Sequence, residues 1–291
     1  MYHWLEGGGY HDDGTGKANS LGASQALRCA APDAQIIKEG AMPHTIFLAG
    51  AAGVIGQRLV PLLLEQGHIV FGTTRSAHRA TDLEAAGVRP VIVDVFDAEA
   101  LARAVADAAP TVVIHQLTDL SGDMAADPEA ARRANARLRR EGTPNLVRAA
   151  VAAGAQRIIA QSIAWAYAPG TPPYAEEDLL EVDAEGARGT TIREGIVPLE
   201  RAVLETPGIE GVVLRYGQLF GPRTWSETPD GASPLHVDAA AYAAFLAIDH
   251  GAPGIYNVAN PGGEVRIDKA ISALGWRPDF RMIADQGVPT A

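Results

Sequence analysis

Three glycines at intervals of three residues form the sharpest chemical signal in the chain. Gly50, Gly53 and Gly56 follow the apolar run Thr45–Leu48 and open an amphipathic helical stretch that begins at Val54. The first glycine permits a tight turn, the second lets the backbone approach a ligand, and the third lets the helix pack on the strand. Because the free amides and the positive end of the helix dipole attract phosphate, this pattern predicts a turn that binds the diphosphate of a dinucleotide. An ordinary glycine-rich turn is the structural alternative.

The end of the next apolar run indicates which dinucleotide would bind. A site for NAD places a carboxylate there to accept hydrogen bonds from the ribose 2′-hydroxyl. This chain has no acid until Asp82 and offers instead Thr73, Thr74 and Arg75, which suit a 2′-phosphate. We therefore expect NADP(H), with NAD as the alternative and with a solvated loop residue as the other interpretation of Arg75.

Alternating strand and helix patterns would place these residues on a parallel sheet. The strand candidates are short unbroken runs rich in Val, Ile and Leu, which is typical of strands covered on both faces. They are Thr45–Leu48, His68–Thr73, Pro90–Val93, Thr111–His115, Arg157–Ala160, Gly211–Arg215 and Ile255–Val258. The helix candidates are Val54–Glu65, Ala98–Ala108, Glu129–Ala153, Val197–Glu205 and Asp238–Ile248. This order predicts a doubly wound α/β fold of the Rossmann type with right-handed crossovers.

Composition excludes several classes of protein. The chain has 291 residues, 47% of them hydrophobic, which is too apolar for a largely disordered polymer. Its formal net charge of -11 disfavours binding to nucleic acid. The single cysteine, Cys29, cannot form an internal disulfide or a thiolate metal cage. With no apolar run of about 20 residues and no signal-peptide pattern, we expect a soluble, cytoplasmic protein that binds neither membranes nor metal.

The first 41 residues differ from the rest of the chain. They are rich in glycine and small polar residues and show no sustained hydrophobic period, so we expect a disordered or non-native N-terminal extension. Met42, just before the first convincing strand, could be the natural start. The run Tyr10–Asp13 contains possible metal ligands, but its glycine-rich context favours a tail without a metal site.

Several motifs in one order resemble the short-chain dehydrogenase/reductase superfamily, in its extended NAD-dependent epimerase/dehydratase branch and the atypical relatives of that branch. The resemblance covers roughly residues 42 to 280. It rests on the glycine turn and on six further stretches, which are 112–117, 157–167, 213–222, 236–240, 254–258 and 274–278. The cofactor-binding residues that follow are Gly50, Ala52, Gly53, Val54, Ile55, Gly56, Thr74, Arg75, Asp94, Val95, Gln116 and Leu117. Asp94 could instead cap a turn.

The catalytic pair of this superfamily is missing. Its members usually carry a tyrosine with a lysine four residues later, whose ammonium lowers the pKa of the phenol for proton exchange. The chain has three lysines, and none lies between residues 39 and 268. Alignment on Glu200 places Ile192 at the tyrosine position and Ile196 at the lysine position. Ile163 then occupies the usual Ser/Thr position, one residue after Ser162.

Three other side chains are the catalytic candidates. Tyr167 could donate a proton, Ser162 could orient a substrate carbonyl, and Arg193 could stabilise developing negative charge. Each has a structural alternative, respectively core packing, a hydrogen bond at the strand end and a surface helix position. His115 is expected to satisfy itself locally on a buried strand. His236 and Asp238 are expected to tie a loop to a helix N-terminus.

These observations predict one Rossmann-type domain over 42–291, with a small substrate lobe mainly over 168–206 and 222–291. The expected activity is NADP(H)-dependent oxidation or reduction of a small organic molecule with a non-standard proton donor. The long polar loop Pro169–Asp183 favours an enzyme because it suits a binding lid. The alternatives are a dinucleotide-binding sensor without catalysis and a nucleotide-sugar epimerase or dehydratase. A homodimer through the long helices would suit the superfamily.

Overall fold

A computed structural model of the chain describes residues 27–28, 42–119 and 127–284. Within these ranges every helix is too short or too polar to span a bilayer. Two residues of the expected tail, Leu27–Arg28, form strand β1, which pairs antiparallel with Ile283–Ala284. Tyr10–Asp13 and Cys29 lie outside the described residues, so their expectations stay predictions.

A seven-stranded parallel sheet forms the centre of the protein. Its strands are β2 (Thr45–Ala49), β3 (Ile69–Thr74), β4 (Arg89–Ile92), β5 (Val112–His115), β6 (Arg157–Ile163), β7 (Glu210–Tyr216) and β10 (Gly254–Val258). Between β7 and β10 in the chain, the short strands β8 (Gln218–Phe220) and β9 (Pro234–His236) pair with each other, and β11 is Ile283–Ala284. The spatial order is β10-β7-β6-β5-β2-β3-β4, so the chain reverses its direction of winding between β2 and β5. Ligands of such sheets bind outside the carboxyl ends of the strands at this switch point.

Helices cover both faces of the sheet. They are α1 (Val54–Glu65), α2 (Ala77–Ala85), α3 (Ala98–Ala108), α4 (Pro128–Arg137), α5 (Thr143–Ala152), α6 (Gly186–Gly189), α7 (Val197–Glu205), α8 (Val237–Leu246) and α9 (Asp268–Leu274). One apolar core joins the sheet to α1 and α8, with Leu59 and Ala240 fully buried. A second core on the other face joins it to α3, α5 and α7, with Val105 and Leu146 fully buried. The predicted Rossmann-type α/β class is confirmed.

Two helices contain π-helical segments. The first π-segment, Leu138–Gly142, connects α4 to α5, and the second, Thr190–Ile196, connects α6 to α7. The helix predicted as one element over Glu129–Ala153 thus spans the expected residues with a π-segment in its middle. Such segments occur frequently at functional sites. The two segments also pack against each other, at the carboxyl-end side of β5 and β6.

Three helical regions of the described structure were not among the helix candidates that the hydrophobic pattern gave. They are α2, the stretch 186–196 and α9. In α2 only Ala80 and Leu83 are buried, so its sequence has too few apolar residues to show a helical period. The stretch 186–196 begins and ends near glycines, which normally mark turns, and it follows the π rather than the α pattern over most of its length.

Candidate functional site

The glycine turn between β2 and α1 has the geometry of a phosphate-binding turn. Gly50 has a φ of +96°. A Cβ at this residue would lie 2.8 Å from the backbone of Gln116, the residue that directly follows β5. A Cβ on Gly56 would lie 2.2 Å from the carbonyl oxygen of Gly50, so only glycine lets α1 pack this closely. In front of Gly53 the space is open apart from the Gly50 carbonyl, which a Cβ would meet at 3.2 Å. The turn therefore leaves room for a diphosphate at the N-terminus of α1.

A cleft extends from this turn along the carboxyl ends of β3, β4 and β5. Nine of the twelve predicted cofactor-binding residues line it, and they are Gly50, Ala52, Gly53, Thr74, Arg75, Asp94, Val95, Gln116 and Leu117. The other three, Val54, Ile55 and Gly56, lie in the first turn of α1. The cleft lies at the switch point between β2 and β5, which is where dinucleotides bind in sheets of this kind.

The cleft also contains residues that the sequence reasoning missed as ligands. They are Ala49, Arg79, Val93, Phe96, Leu101, Thr118 and Leu138, and Thr73, which the sequence analysis did consider, also lines the cleft. Thr73 accepts a hydrogen bond from the Gly50 amide at 3.2 Å and so holds the turn. Arg79 lies in the first turn of α2, the helix that was not predicted, and adds a second cation beside Arg75. A capping signal was available, because Ser76 accepts a hydrogen bond from the Arg79 amide.

Two cleft residues have partners inside the protein. Arg75, whose side chain is 57% exposed, lies 3.6 Å from the carboxylate of Asp119. Asp94 accepts a hydrogen bond from the Phe96 amide at 2.9 Å, which is the turn cap considered for it. Both residues still line the cleft, so their predicted roles towards a cofactor stay predictions.

His115 is held in its neutral form beneath the cleft. Its Nδ1 accepts a hydrogen bond from the Leu117 amide, and its Nε2 lies 2.9 Å from the Thr143 hydroxyl. Burial, assisted by the positive charge of Arg139, lowers the pKa of His115 to about 4. The imidazole thus fixes the backbone where β5 enters the cleft, and it carries no proton to donate as an imidazolium at neutral pH.

Tyr167 and Ser162 belong to one buried network. Glu200 accepts hydrogen bonds from Ser162 Oγ at 2.7 Å and from two nitrogens of Arg215 at 2.9 and 2.7 Å. The Tyr167 hydroxyl donates to Asn257 Oδ1 at 2.6 Å and accepts from Arg215 Nη1 at 2.9 Å. Burial raises the pKa of Tyr167 despite the nearby guanidinium. These contacts are typical of a structural hydroxyl, and the catalytic assignment of Tyr167 stays a prediction.

Arg193 lies apart from that network. Its Nη1 donates to the carbonyl oxygens of Val182 and Ala184, at 2.8 and 2.6 Å, and so ties down the end of the loop that follows β6. The middle of the same loop is anchored by the Tyr174 ring, which stacks on the Tyr167 ring at 5.2 Å between centroids. The structure therefore brings Tyr167 and Ser162 together but not Arg193.

The alignment on Glu200 assigns the Ser/Thr, tyrosine and lysine positions of the superfamily to three isoleucines. These three side chains meet in one apolar cluster. Ile163, Ile192 and Ile196 pack together with Ala166 and are between 0% and 9% exposed. The side chains come from the end of β6 and from the second π-segment, which follow each other around the carboxyl edge of the sheet. The three positions that the alignment on Glu200 selects therefore lie in contact with one another.

Comparison with known proteins identifies the family. A family profile described as NAD(P)H-binding matches residues 50–188. A curated relative from a Streptomyces species, 3-diazoavenalumate denitrifying reductase, is 40% identical over 255 residues, which cover 81% of this chain and 80% of the relative. The chain belongs to the short-chain dehydrogenase/reductase family, in its extended epimerase/dehydratase branch. It therefore has an NAD(P)-binding domain of the Rossmann type.

Solved structures of this branch share the fold at low sequence identity. The enzyme WbmG of Bordetella bronchiseptica, in complex with NAD and UDP, gives a TM-score of 0.66 at 19% identity and covers 84% of this chain and 92% of its own. UDP-glucose 4-epimerase of Thermotoga maritima, with UDP-glucose, gives a TM-score of 0.64 at 18% identity and covers 80% of this chain and 93% of its own. Aligned on Glu200, the tyrosine and lysine positions of the superfamily pattern fall on the apolar residues Ile192 and Ile196, and no lysine lies between residues 39 and 268.

Proposed function

We propose that this chain is an NADPH-dependent reductase whose substrate accepts a hydride without a proton from the protein, and that an aryl diazo compound is such a substrate. The observation that carries the proposal is the apolar cluster of Ile163, Ile192 and Ile196 at the positions of the family's proton-transfer groups. The 40% identity to a reductase named for a diazo substrate supports it. An epimerase or dehydratase is disfavoured, because those reactions lean on the activated tyrosine.

The chemistry of a diazo group fits this lack of a proton donor. A reduced dinucleotide, when bound, would supply a hydride. Addition of a hydride to the carbon of an aryl diazonium cation would form a C–H bond and release N2, so that atoms and charge balance without a proton. Carbonyl reduction differs, since the resulting alkoxide must be protonated. Apolar side chains at the cluster would also keep water, which attacks diazonium ions, away from the reacting carbon.

The activity is tested by comparing substrate classes. Purified protein with NADPH is given aryl diazonium salts and, separately, a panel of aldehydes, ketones and imines, with reactions lacking protein as controls. We expect protein-dependent NADPH oxidation and N2 release with the diazo compounds and little with the carbonyl panel. Tight NADPH binding without turnover on either panel would favour a sensor. Turnover of carbonyls alone would contradict the proposal.

The adenine end of the cleft supports NADPH rather than NADH. Arg75 and Arg79 lie together beside the N-terminus of α2, and no described acidic residue of the cleft lies at the end of β3. A guanidinium suits a 2′-phosphate, and a helix N-terminus attracts the same group. Asp119 is the existing partner of Arg75, and it would compete with the phosphate only weakly across 3.6 Å at an exposed position.

We expect Arg75→Gln to weaken NADPH binding at least about tenfold while leaving NADH binding within about twofold, because one charge-assisted contact contributes about 1.5–3 kcal/mol. Fluorescence titration of both dinucleotides measures this. The matched control is Arg103→Gln, which removes an exposed arginine of α3 that pairs with Glu99. Equal weakening of both dinucleotides in Arg75→Gln would contradict recognition of the 2′-phosphate.

Two interpretations of Tyr167 are separated by Tyr167→Phe. If the Tyr167 hydroxyl is structural, its removal deprives Asn257 and Arg215 of one hydrogen-bond partner each. We then expect the free energy of unfolding to fall by about 1–3 kcal/mol. Turnover per folded molecule should change by less than about threefold, whereas loss of a general acid would cost at least about 100-fold. Urea unfolding and steady-state kinetics on the same preparation give both quantities. A 100-fold loss of kcat with unchanged stability would establish Tyr167 as the proton donor.

A further inference from the structure

Arg139 is a buried cation for which the described part of the chain supplies no partner. Its residue is 4% exposed, and within the described part of the chain it forms no ion pair within 4 Å and no hydrogen bond. Its Nε is fully buried and has no acceptor. Arg215, buried to the same degree, shows the usual arrangement, because its nitrogens donate to Glu200, to the Tyr167 hydroxyl and to the Glu176 carbonyl. A buried guanidinium with free donors is costly unless a ligand completes it.

The charges around Arg139 do not cancel. Among the described residues, the titratable groups that act on Arg139 or respond to it are His115 and Glu200. His115 is neutral, and the carboxylate of Glu200 is already bound by two nitrogens of Arg215. Burial lowers the pKa of Arg139 to about 10, which leaves it protonated at neutral pH. Together these four groups carry one uncompensated positive charge.

The position of Arg139 relates this charge to the missing lysine. Arg139 lies in the first π-segment, and its Cδ packs against Gly195 of the second, where an added Cβ would be 3.3 Å away. Gly195 directly precedes Ile196, the residue at the lysine position. Arg139 therefore brings a cation from the first π-segment next to the part of the second π-segment that carries the lysine in the superfamily.

The topology indicates which half of a dinucleotide this charge would face. Arg75 and Arg79 lie beyond β3, on one side of the switch point between β2 and β5. Arg139 follows β5, and it packs on the helix that follows β6, on the other side. Its neighbour Leu138 lines the cleft. A dinucleotide whose adenine half binds at Arg75 would extend its nicotinamide half to the side of the switch point on which Arg139 lies.

We propose that Arg139 makes the protein bind reduced dinucleotide more tightly than oxidised dinucleotide. The inference rests on the proposed NADPH-dependent function. The nicotinamide ring is neutral when reduced and carries a positive charge when oxidised, so an uncompensated buried cation disfavours the oxidised form. One unit charge that acts over about 10 Å at an effective dielectric constant of about 20 changes an equilibrium on the order of tenfold. Arg139 would thereby favour loading with NADPH and release of NADP+ after turnover.

The test is the ratio of the Kd values for NADP+ and NADPH, measured by titration without substrate. In Arg139→Gln we expect the preference for NADPH to fall on the order of tenfold relative to the wild-type protein. Arg139→Lys should retain most of the preference, because it keeps the charge. The matched control, Arg140→Gln, removes the neighbouring exposed arginine, which pairs with Glu141 and Glu194, and should leave the ratio unchanged.

Thermal unfolding of the ligand-free variants separates this role from a structural one. Removal of an unpaired buried charge should leave the melting temperature of Arg139→Gln equal or higher. If that variant does not fold, Arg139→Met keeps the apolar stem and replaces it in the titrations. An unchanged ratio in the neutral variants, equal weakening of both forms, or a loss of the preference in Arg139→Lys equal to that in Arg139→Gln would each overturn the proposal.

Failure of this inference is distinguishable from failure of the proposed function. If the wild-type protein prefers NADPH and the neutral variants lose that preference, but no diazo compound is reduced, the proposed substrate class is wrong and the role of Arg139 stands. If the protein reduces diazo compounds and neutral variants at residue 139 keep the wild-type ratio, the inference about Arg139 is wrong and the function stands.

Discussion

Replacement of Gly53 by aspartate should abolish dinucleotide binding while the protein still folds. Gly53 is the N-cap of α1 in extended backbone, with φ of −79°, so another residue can adopt its conformation. The added side chain would occupy the open space in front of the turn and place a carboxylate where the diphosphate is expected. We expect the Kd for NADPH to rise at least about 100-fold, since an amide-lined anion site would hold a repelling charge. Fluorescence titration measures the loss.

The control adds the same charge elsewhere. Ala273 is exposed on α9, and Ala273→Asp should bind NADPH as the wild-type protein does. Circular dichroism and thermal unfolding of both variants show whether the fold is retained. NADPH binding by folded Gly53→Asp within threefold of the wild-type Kd would mean that the turn is not the diphosphate site.

Glu200→Gln should destabilise the protein by about 3–5 kcal/mol, because it leaves the buried guanidinium of Arg215 without its counter-ion. Glu200 and Arg215 are 6% and 3% exposed and meet through two hydrogen bonds. Burial alone would lower the pKa of Arg215, but the hydrogen bonds and the negative charge of Glu200 raise it. Loss of the charge on Glu200 would also weaken the hydrogen bond from Ser162 and add to the positive charge already present at Arg139. Urea unfolding gives the free energy.

Two further variants test this interpretation of Glu200. Glu205→Gln removes an exposed carboxylate of the same helix that pairs with Arg201, and it should cost no more than about 1 kcal/mol. The double variant Glu200→Leu with Arg215→Met removes both charges, and it should recover much of the loss because apolar groups can replace a buried pair. A cost below about 1 kcal/mol for Glu200→Gln would contradict the assigned role of the pair.

The sequence was sufficient for the fold and for the outline of the cofactor cleft. Strongly apolar runs such as Phe47–Ala49 and Ile158–Ala160 are buried on both faces, so their patterns were unambiguous. The glycine turn was readable because strand, turn and helix occur within a short stretch of chain. Arg79 was missed because its helix is mostly solvent-exposed, which removes the hydrophobic period that reveals a helix.

The interior of the site could not be predicted because its partners are distant in sequence. Ser162 meets Glu200 across 38 residues, and Tyr167 meets Asn257 across 90. A hydroxyl that follows a strand has the same sequence signature whether it faces a substrate or a buried amide. Arg139 carried no signal for a related reason, since it lies in an arginine-rich helical stretch that looks solvent-exposed until its packing on Gly195 is known.

The origin of the hydrogen in the reduced product tests most directly whether catalysis proceeds without a proton from the protein. Reaction of an aryl diazonium substrate with NADPH deuterated at both C4 positions, in ordinary water, should place one deuterium on the carbon that loses N2. Unlabelled NADPH in D2O should place none there. A product that takes this hydrogen from D2O would contradict direct hydride transfer and would return attention to a protein proton donor such as Tyr167.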